Sequence, residues 1–204
     1  MSLINSFNRL LYLIHNKHNI TFIHNMKSSY NNTVDFGDLI ANTTFLKQPK
    51  TILEIGILEG FSLKKFADYA PDATIWGYDI FEDFNGNHAV KNDIVDKFAY
   101  NKNITIEHGD FFEIVKSLDD KSIDLLHIDI ANNGDVYQFV FDNYMQKLSD
   151  GGTIILEGGS LERDNIEWMN KYNKPKIQPI LEKYSNVYNI KTFGEIPSIT
   201  IINL

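Results

Sequence analysis

Between residues 51 and 60 the chain reads Thr-Ile-Leu-Glu-Ile-Gly-Ile-Leu-Glu-Gly, a short apolar run that opens onto two glycines. A nearly continuous run of this kind suits a strand covered on both faces, as in a parallel sheet between two layers of helix. The next segment is helical in period. Leu63, Phe66, Ala67 and Ala70 recur on one face, Ser62 is placed to cap the first turn, and Pro71 stops the helix. Strand, tight turn and helix in that order form the first unit of a doubly wound α/β fold.

The pattern continues with strands predicted at 74–78, 103–107, 123–128 and 153–156, separated by helices at 89–100 and 136–148 and by a Ser-Asp-Gly-Gly turn at 149–152. A helix and loop segment at 161–184 is interrupted by Pro175 and Pro179. Two β-type runs close the chain, 187–192 and 198–203, and Phe193 to Pro197 between them is too short for a helical crossover, so these two must run antiparallel. The reading is a Rossmann-like, seven-stranded sheet, mostly parallel with an antiparallel C-terminal strand and helices on both faces. Residues 1–45 are read as a helical cap over the active site, and 46–204 as the main domain.

Composition narrows the classes of partner. At 204 residues with 43% apolar side chains the chain can bury a core, and with no cysteine it holds neither disulfides nor thiolate-bound zinc. A net charge of -8 argues against nucleic acid, whose phosphates call for a basic surface. The apolar positions 4, 7, 10, 11 and 14 read as an amphipathic helix too short to span a bilayer, and no small-residue cleavage site comes after it. A cytoplasmic protein with a small-molecule partner is expected, with a homodimer left open. The pair Lys64-Lys65 reads as a solvated helix face.

In open α/β sheets, ligands bind beyond the carboxyl ends of the strands. Here those ends carry Glu54 and the glycine turn, then Asp79, Gly109-Asp110, Asp129 and Glu157, so five successive strands deliver a carboxylate or a glycine to one rim. Glycines let the backbone approach a ligand closely. A dinucleotide loop needs a third glycine, but Leu58 takes the middle position. Glu54, two residues before Gly56, suits a ligand bearing positive charge, such as the amino group and sulfonium of S-adenosylmethionine. Asp79, about 20 residues beyond the loop, is placed for ribose hydroxyls. Asp110 can meet an adenine amino group, with Phe111 covering the ring, or simply cap the next helix.

These residues resemble the class I methyltransferases over roughly residues 27–160. Leu-Glu-Ile-Gly-Ile-Leu-Glu-Gly-Phe-Ser-Leu, then Trp-Gly-Tyr-Asp-Ile, is similar to sugar O-methyltransferases of macrolide biosynthesis and related small-molecule enzymes. Leu-Leu-His-Ile-Asp, Gly-Asp-Val-Tyr and Leu-Ser-Asp-Gly-Gly-Thr-Ile-Ile-Leu-Glu are similar to their fourth and fifth strand motifs. The resemblance implies a class I methyltransferase domain at 46–204 that binds S-adenosylmethionine and methylates a hydroxyl of a small molecule, a sugar or sugar-bearing metabolite. It implies cofactor contacts at Glu54, Gly56, Ile57, Glu59, Gly60, Asp79, Ile80, Gly109, Asp110, Phe111 and Asp129. It also places Asp129 and the end of the fifth strand toward the acceptor.

Many such relatives hold a divalent cation at those last two places, which implies Mg2+ on Asp129 and Glu157, with Asp135 as a further oxygen donor. Gly158 stands where the metal-dependent relatives carry an acidic or amide side chain, and Ala131-Asn132-Asn133 separates Asp129 from Asp135. Without a metal, Asp129 is the first candidate base. His127, two residues earlier on the same strand face, is the second, against a packed role for it and for His108. Tyr137, Glu162 and Arg163 lie where an acceptor pocket can form, and Lys27 or Tyr30 can reach cofactor or acceptor from the N-terminal segment. Two other readings remain at this point: an NAD(P)-dependent oxidoreductase, which shares the first strand, turn and acid, and a non-catalytic S-adenosylmethionine-binding module.

Overall fold

The computed structural model describes residues 34–84, 87 and 89–204, so the helix expected at 3–14, Lys27 and Tyr30 lie outside the described residues. Helix α1 (Val34–Lys47) leads into β1 (Thr51–Ile55), α2 (Phe61–Tyr69), β2 (Thr74–Asp79), α3 (Lys91–Lys97) and β3 (Ile104–His108). A single turn of helix, α4 (Phe111–Ile114), precedes β4 (Ile123–Ile128) and α5 (Gly134–Phe139). Then come β5 (Leu148–Glu157), α6 (Glu167–Lys171), α7 (Gln178–Tyr184), β6 (Asn189–Gly194) and β7 (Ser198–Asn203). The sheet order is β3-β2-β1-β4-β5-β7-β6; the first five strands are parallel, and β7 runs antiparallel to both β5 and β6. The class predicted from sequence is therefore the class observed.

Alternation along the central strands divides the core in two. Ile52, Ile75, Leu125 and Ile155 pack with Phe36 and Ile40 of α1, Leu63 and Phe66 of α2 and Ile94 of α3. Leu53, Ile55, Leu126, Ile128, Ile154 and Leu156 pack with Val136 and Tyr137 of α5 and Leu181 of α7. Each fully covered Ile, Leu or Phe contributes about 1.5–3 kcal/mol of transfer free energy, so the two clusters set the register of every strand. Helix α1 runs through residue 45, where the cap was divided from the main domain, and its Ile40 and Thr44 are fully buried.

Three local expectations are corrected. Ser149 to Gly152, read as a turn, is the first part of β5, accommodated by a register shift between Ile123 and Leu125. Ser62 does not cap α2: the cap position falls on Gly60, and the Ser62 hydroxyl donates to Glu54 instead. Lys64 and Lys65 do not share a solvated face, because Lys65 is 7% exposed beneath α1 while Lys64 pairs with Asp68.

Candidate active site

The glycine turn is shaped by its neighbour strand. Gly56 has φ +91°, and a Cβ there would lie 2.1 Å from the Asp129 carbonyl oxygen, so only glycine lets the ends of β1 and β4 close together. Leu58 holds φ 50°, the left-handed conformation that a middle glycine would favour. Asp79 fastens this turn: its Oδ2 accepts from the backbone N–H of Ile57 (2.7 Å) and Leu58 (3.2 Å). Its Oδ1 accepts from Phe81 N–H (2.8 Å) and the Asn87 amide (2.9 Å).

Beyond these strand ends lies a cavity of about 410 Å³, ample for a small cofactor. Ile55 to Leu58, Asp79, Ile80, Gly109 to Phe111 and Asp129 line it, and Phe61, Ser62, Phe84, Asn87, Phe112, Ile130 and Ala131 complete it. Of the predicted cofactor residues it thus gathers Gly56, Ile57, Asp79, Ile80, Gly109, Asp110, Phe111 and Asp129. Asp110 also caps α4, accepting from Phe112 N–H at 2.8 Å. Phe111 is fixed from behind by Tyr144, stacked at 5.1 Å between ring centroids. The described lining carries three carboxylates, Asp79, Asp110 and Asp129, and no lysine, arginine or histidine. Such a surface attracts a cationic ligand and repels a pyrophosphate.

Four predicted residues stand elsewhere. Glu59 and Gly60 lie outside the lining, the Glu59 carbonyl taking the Lys97 ammonium (2.8 Å) and Gly60 starting α2. Glu54 and His127, expected at the ligand and as a base, are both 0% exposed. The reason is parity and register: Glu54 shares the face of Ile52, His127 shares the face of Leu125, and the two are paired across β1 and β4. They meet in the layer beneath α2, with His127 Nδ1 3.0 Å from Glu54 Oε1 and its ring edge-on to Phe66. His108 is corrected the other way, exposed and paired with Asp83 at 2.7 Å instead of packed.

Burial raises the Glu54 carboxyl above its ordinary 4.5, opposed by His127 and Ser62 and assisted by the negative charge of Asp129. Among the described residues Glu54 Oε2 has no partner, which suits a carboxyl that keeps its proton. A raised folded pKa means stability that is full below 4.5 and lost as pH rises through the folded value. Glu54→Gln, which cannot ionise, should therefore gain in melting temperature relative to the parent between pH 5 and 8. A difference that stays constant across that range would contradict the assignment.

Glu157, at the end of β5, was expected to hold a cation with Asp129. Its two oxygens instead accept from Arg163, Oε1 from Nε at 2.7 Å and Oε2 from Nη2 at 3.0 Å. Next to it Gly158 (φ +94°) and Gly159 (φ +108°) turn the chain so tightly that a Cβ on Gly159 would sit 2.0 Å from Thr200 Oγ1. The two glycines offer no liganding side chain, and among the described residues no group of three acidic or imidazole side chains is assembled for a metal. These residues do not fit the implied Mg2+. Burial raises the Glu157 carboxyl to about 7, with Arg163 pulling it down and Asp129 pushing it up. Tyr137 is a packing residue whose hydroxyl donates to the Glu157 carbonyl (3.1 Å), and Glu162 is exposed.

A doubly wound sheet of this order with an acidic, apolar-floored cavity at the strand ends defines a class I methyltransferase fold. Residues 53–157, about half of the chain, match the family model described as a methyltransferase domain, and the chain belongs to that family. This overturns the oxidoreductase alternative. Among solved structures, a putative caffeoyl-CoA O-methyltransferase from Staphylococcus aureus superposes with a TM-score of 0.65 at 17% identity, covering 100% of both chains. The O-methyltransferase TomG from Streptomyces achromogenes, solved with SAM, gives 0.64 at 16% identity over 84% of this chain and 80% of its own. An O-methyltransferase from Bacillus cereus, solved with SAH, gives 0.61 at 16% identity over 84% and 82%. At these identities the likeness establishes the fold. No curated protein matches the chain.

Proposed function

We propose that the chain is an S-adenosylmethionine-dependent O-methyltransferase whose acceptor is a hydroxyl of a small molecule, a sugar or sugar-bearing metabolite. The observation that carries this reading is the cavity lining: three carboxylates, no basic group among the described residues, and the apolar faces of Ile80 and Phe111. A cation bearing an adenine ring matches that combination. Asp79, whose Oδ2 is held by the glycine-turn amides and Oδ1 by Phe81 N–H and the Asn87 amide, is the residue that would hold a ribose hydroxyl of the cofactor.

Bound there, S-adenosylmethionine supplies a methyl group and leaves as S-adenosylhomocysteine. The protein's part is to hold the acceptor in line and to take its proton. Asp129 is the half-buried carboxylate on the cavity wall at the end of β4, and it accepts the hydroxyl proton as the new oxygen–carbon bond forms. The O-methyltransferase names of the fold neighbours agree with this chemistry.

The test is transfer of a labelled methyl group from S-adenosylmethionine to a panel of sugars, glycosides, phenols and amines. Transfer to a hydroxyl is the expected result. Transfer confined to amines would overturn the O-methyltransferase reading, and binding of the donor with no transfer to any member would favour the non-catalytic module.

A further inference from the structure

We propose that the Arg163 guanidinium stands in the place of a divalent cation at the end of β5, so that this chain carries a built-in organic cation where an exchangeable metal would otherwise bind. Asp129 and Glu157 follow the paired residues Ile128 and Leu156 on the adjacent strands β4 and β5, the kind of carboxylate pair that attracts Mg2+ or Mn2+. Here the pair is already served. Arg163 is 7% exposed and Glu157 5%, and the fork of Nε and Nη2 takes both carboxylate oxygens at 2.7 and 3.0 Å. A guanidinium does not deprotonate in the accessible pH range, so unlike a metal it neither dissociates nor offers an open coordination position.

The arginine is seated from several sides. Its backbone N–H donates to Ser160 Oγ (3.0 Å), Nη2 reaches the Asn132 carbonyl (3.4 Å), and the Trp168 ring lies 5.8 Å from the guanidinium carbon. The turn that delivers it is itself anchored, because Asp164, 1% exposed, accepts from Ile177 N–H and Gln178 N–H at 2.8 Å each. A cation entering at Glu157 would strand a buried guanidinium, which closes the site to metal more firmly than the loss of one ligand would. Neutralised in this way, Glu157 leaves proton removal to Asp129 and supplies no Lewis acid to the acceptor.

The experiment is a Mn2+ titration followed by the electron paramagnetic resonance of the free ion. It uses the full chain, its Arg163→Gln and Arg163→Met variants and the double variant Arg163→Gln with Glu157→Gln, with folding checked by circular dichroism. The parent should show no saturable binding. Either single variant should acquire saturable Mn2+ binding at alkaline pH, where the freed Glu157 carboxyl gives up its proton to the entering cation, and the double variant should not. Glu157-dependent binding by the parent overturns the proposal, and so does a folded single variant that binds no Mn2+. If neither single variant folds, the parent titration decides alone: no saturable binding supports the proposal, and saturable binding that Glu157→Gln abolishes overturns it. S-adenosylhomocysteine binding, measured alongside, keeps failure of this inference separate from failure of the methyltransferase reading.

Discussion

Asp129→Asn is expected to lower kcat by about 100- to 10,000-fold, the usual span for loss of a general base, while leaving affinity for S-adenosylhomocysteine close to that of the parent. The split arises from the separate roles of the residue's backbone and side chain. Its backbone is structural: Asp129 N–H donates to the Ile55 carbonyl at 2.9 Å, and its carbonyl lies where a Gly56 side chain would be. Asparagine keeps both and loses only the charge and the capacity to accept a proton. Single-turnover kinetics with labelled donor, beside calorimetry of the same variant, reads the two effects separately. Equal loss of binding and turnover would show that Asp129 holds the cofactor instead of acting on the acceptor.

The second large effect is expected at Asp79. Asp79→Ala removes the acceptor of four hydrogen bonds, three of them from backbone N–H groups of Ile57, Leu58 and Phe81. A buried N–H left unpaired costs about 1–3 kcal/mol, so the variant should melt several degrees lower even without ligand. The turn must then be reordered on binding, and a reordering cost of about 2 kcal/mol weakens affinity about thirtyfold. Thermal denaturation and calorimetry with S-adenosylhomocysteine check both numbers. An unchanged melting temperature with weakened binding would return Asp79 to a purely ribose-binding role.

The contrast between these two residues shows how far the sequence can be read. Apolar runs at 51–55 and 123–128 mark buried parallel strands because both faces demand apolar side chains, and from them the rim with Asp79, Asp110 and Asp129 can be derived. The direction of Glu54 is also present in the sequence, since it shares parity with Ile52. Its closeness to Gly56 points the other way, toward the ligand, and parity wins: the strand carries the carboxylate under α2. Arg163 leaves no periodic mark. It reaches Glu157 across a turn of two positive-φ glycines, a geometry that neither helical nor strand spacing encodes, although it is the only arginine besides Arg9. Asn87 is equally unreadable, because its place depends on the path of a loop and not on any pattern of side chains.

The cavity at the ends of β1 to β4 is expected to take a sulfonium cofactor and not a dinucleotide. Isothermal calorimetry of the full chain with S-adenosylmethionine, S-adenosylhomocysteine and NAD tests it directly. Saturable heat with both sulfur compounds and none with NAD is the predicted result; no heat with either sulfur compound, or saturable heat with NAD, would contradict it.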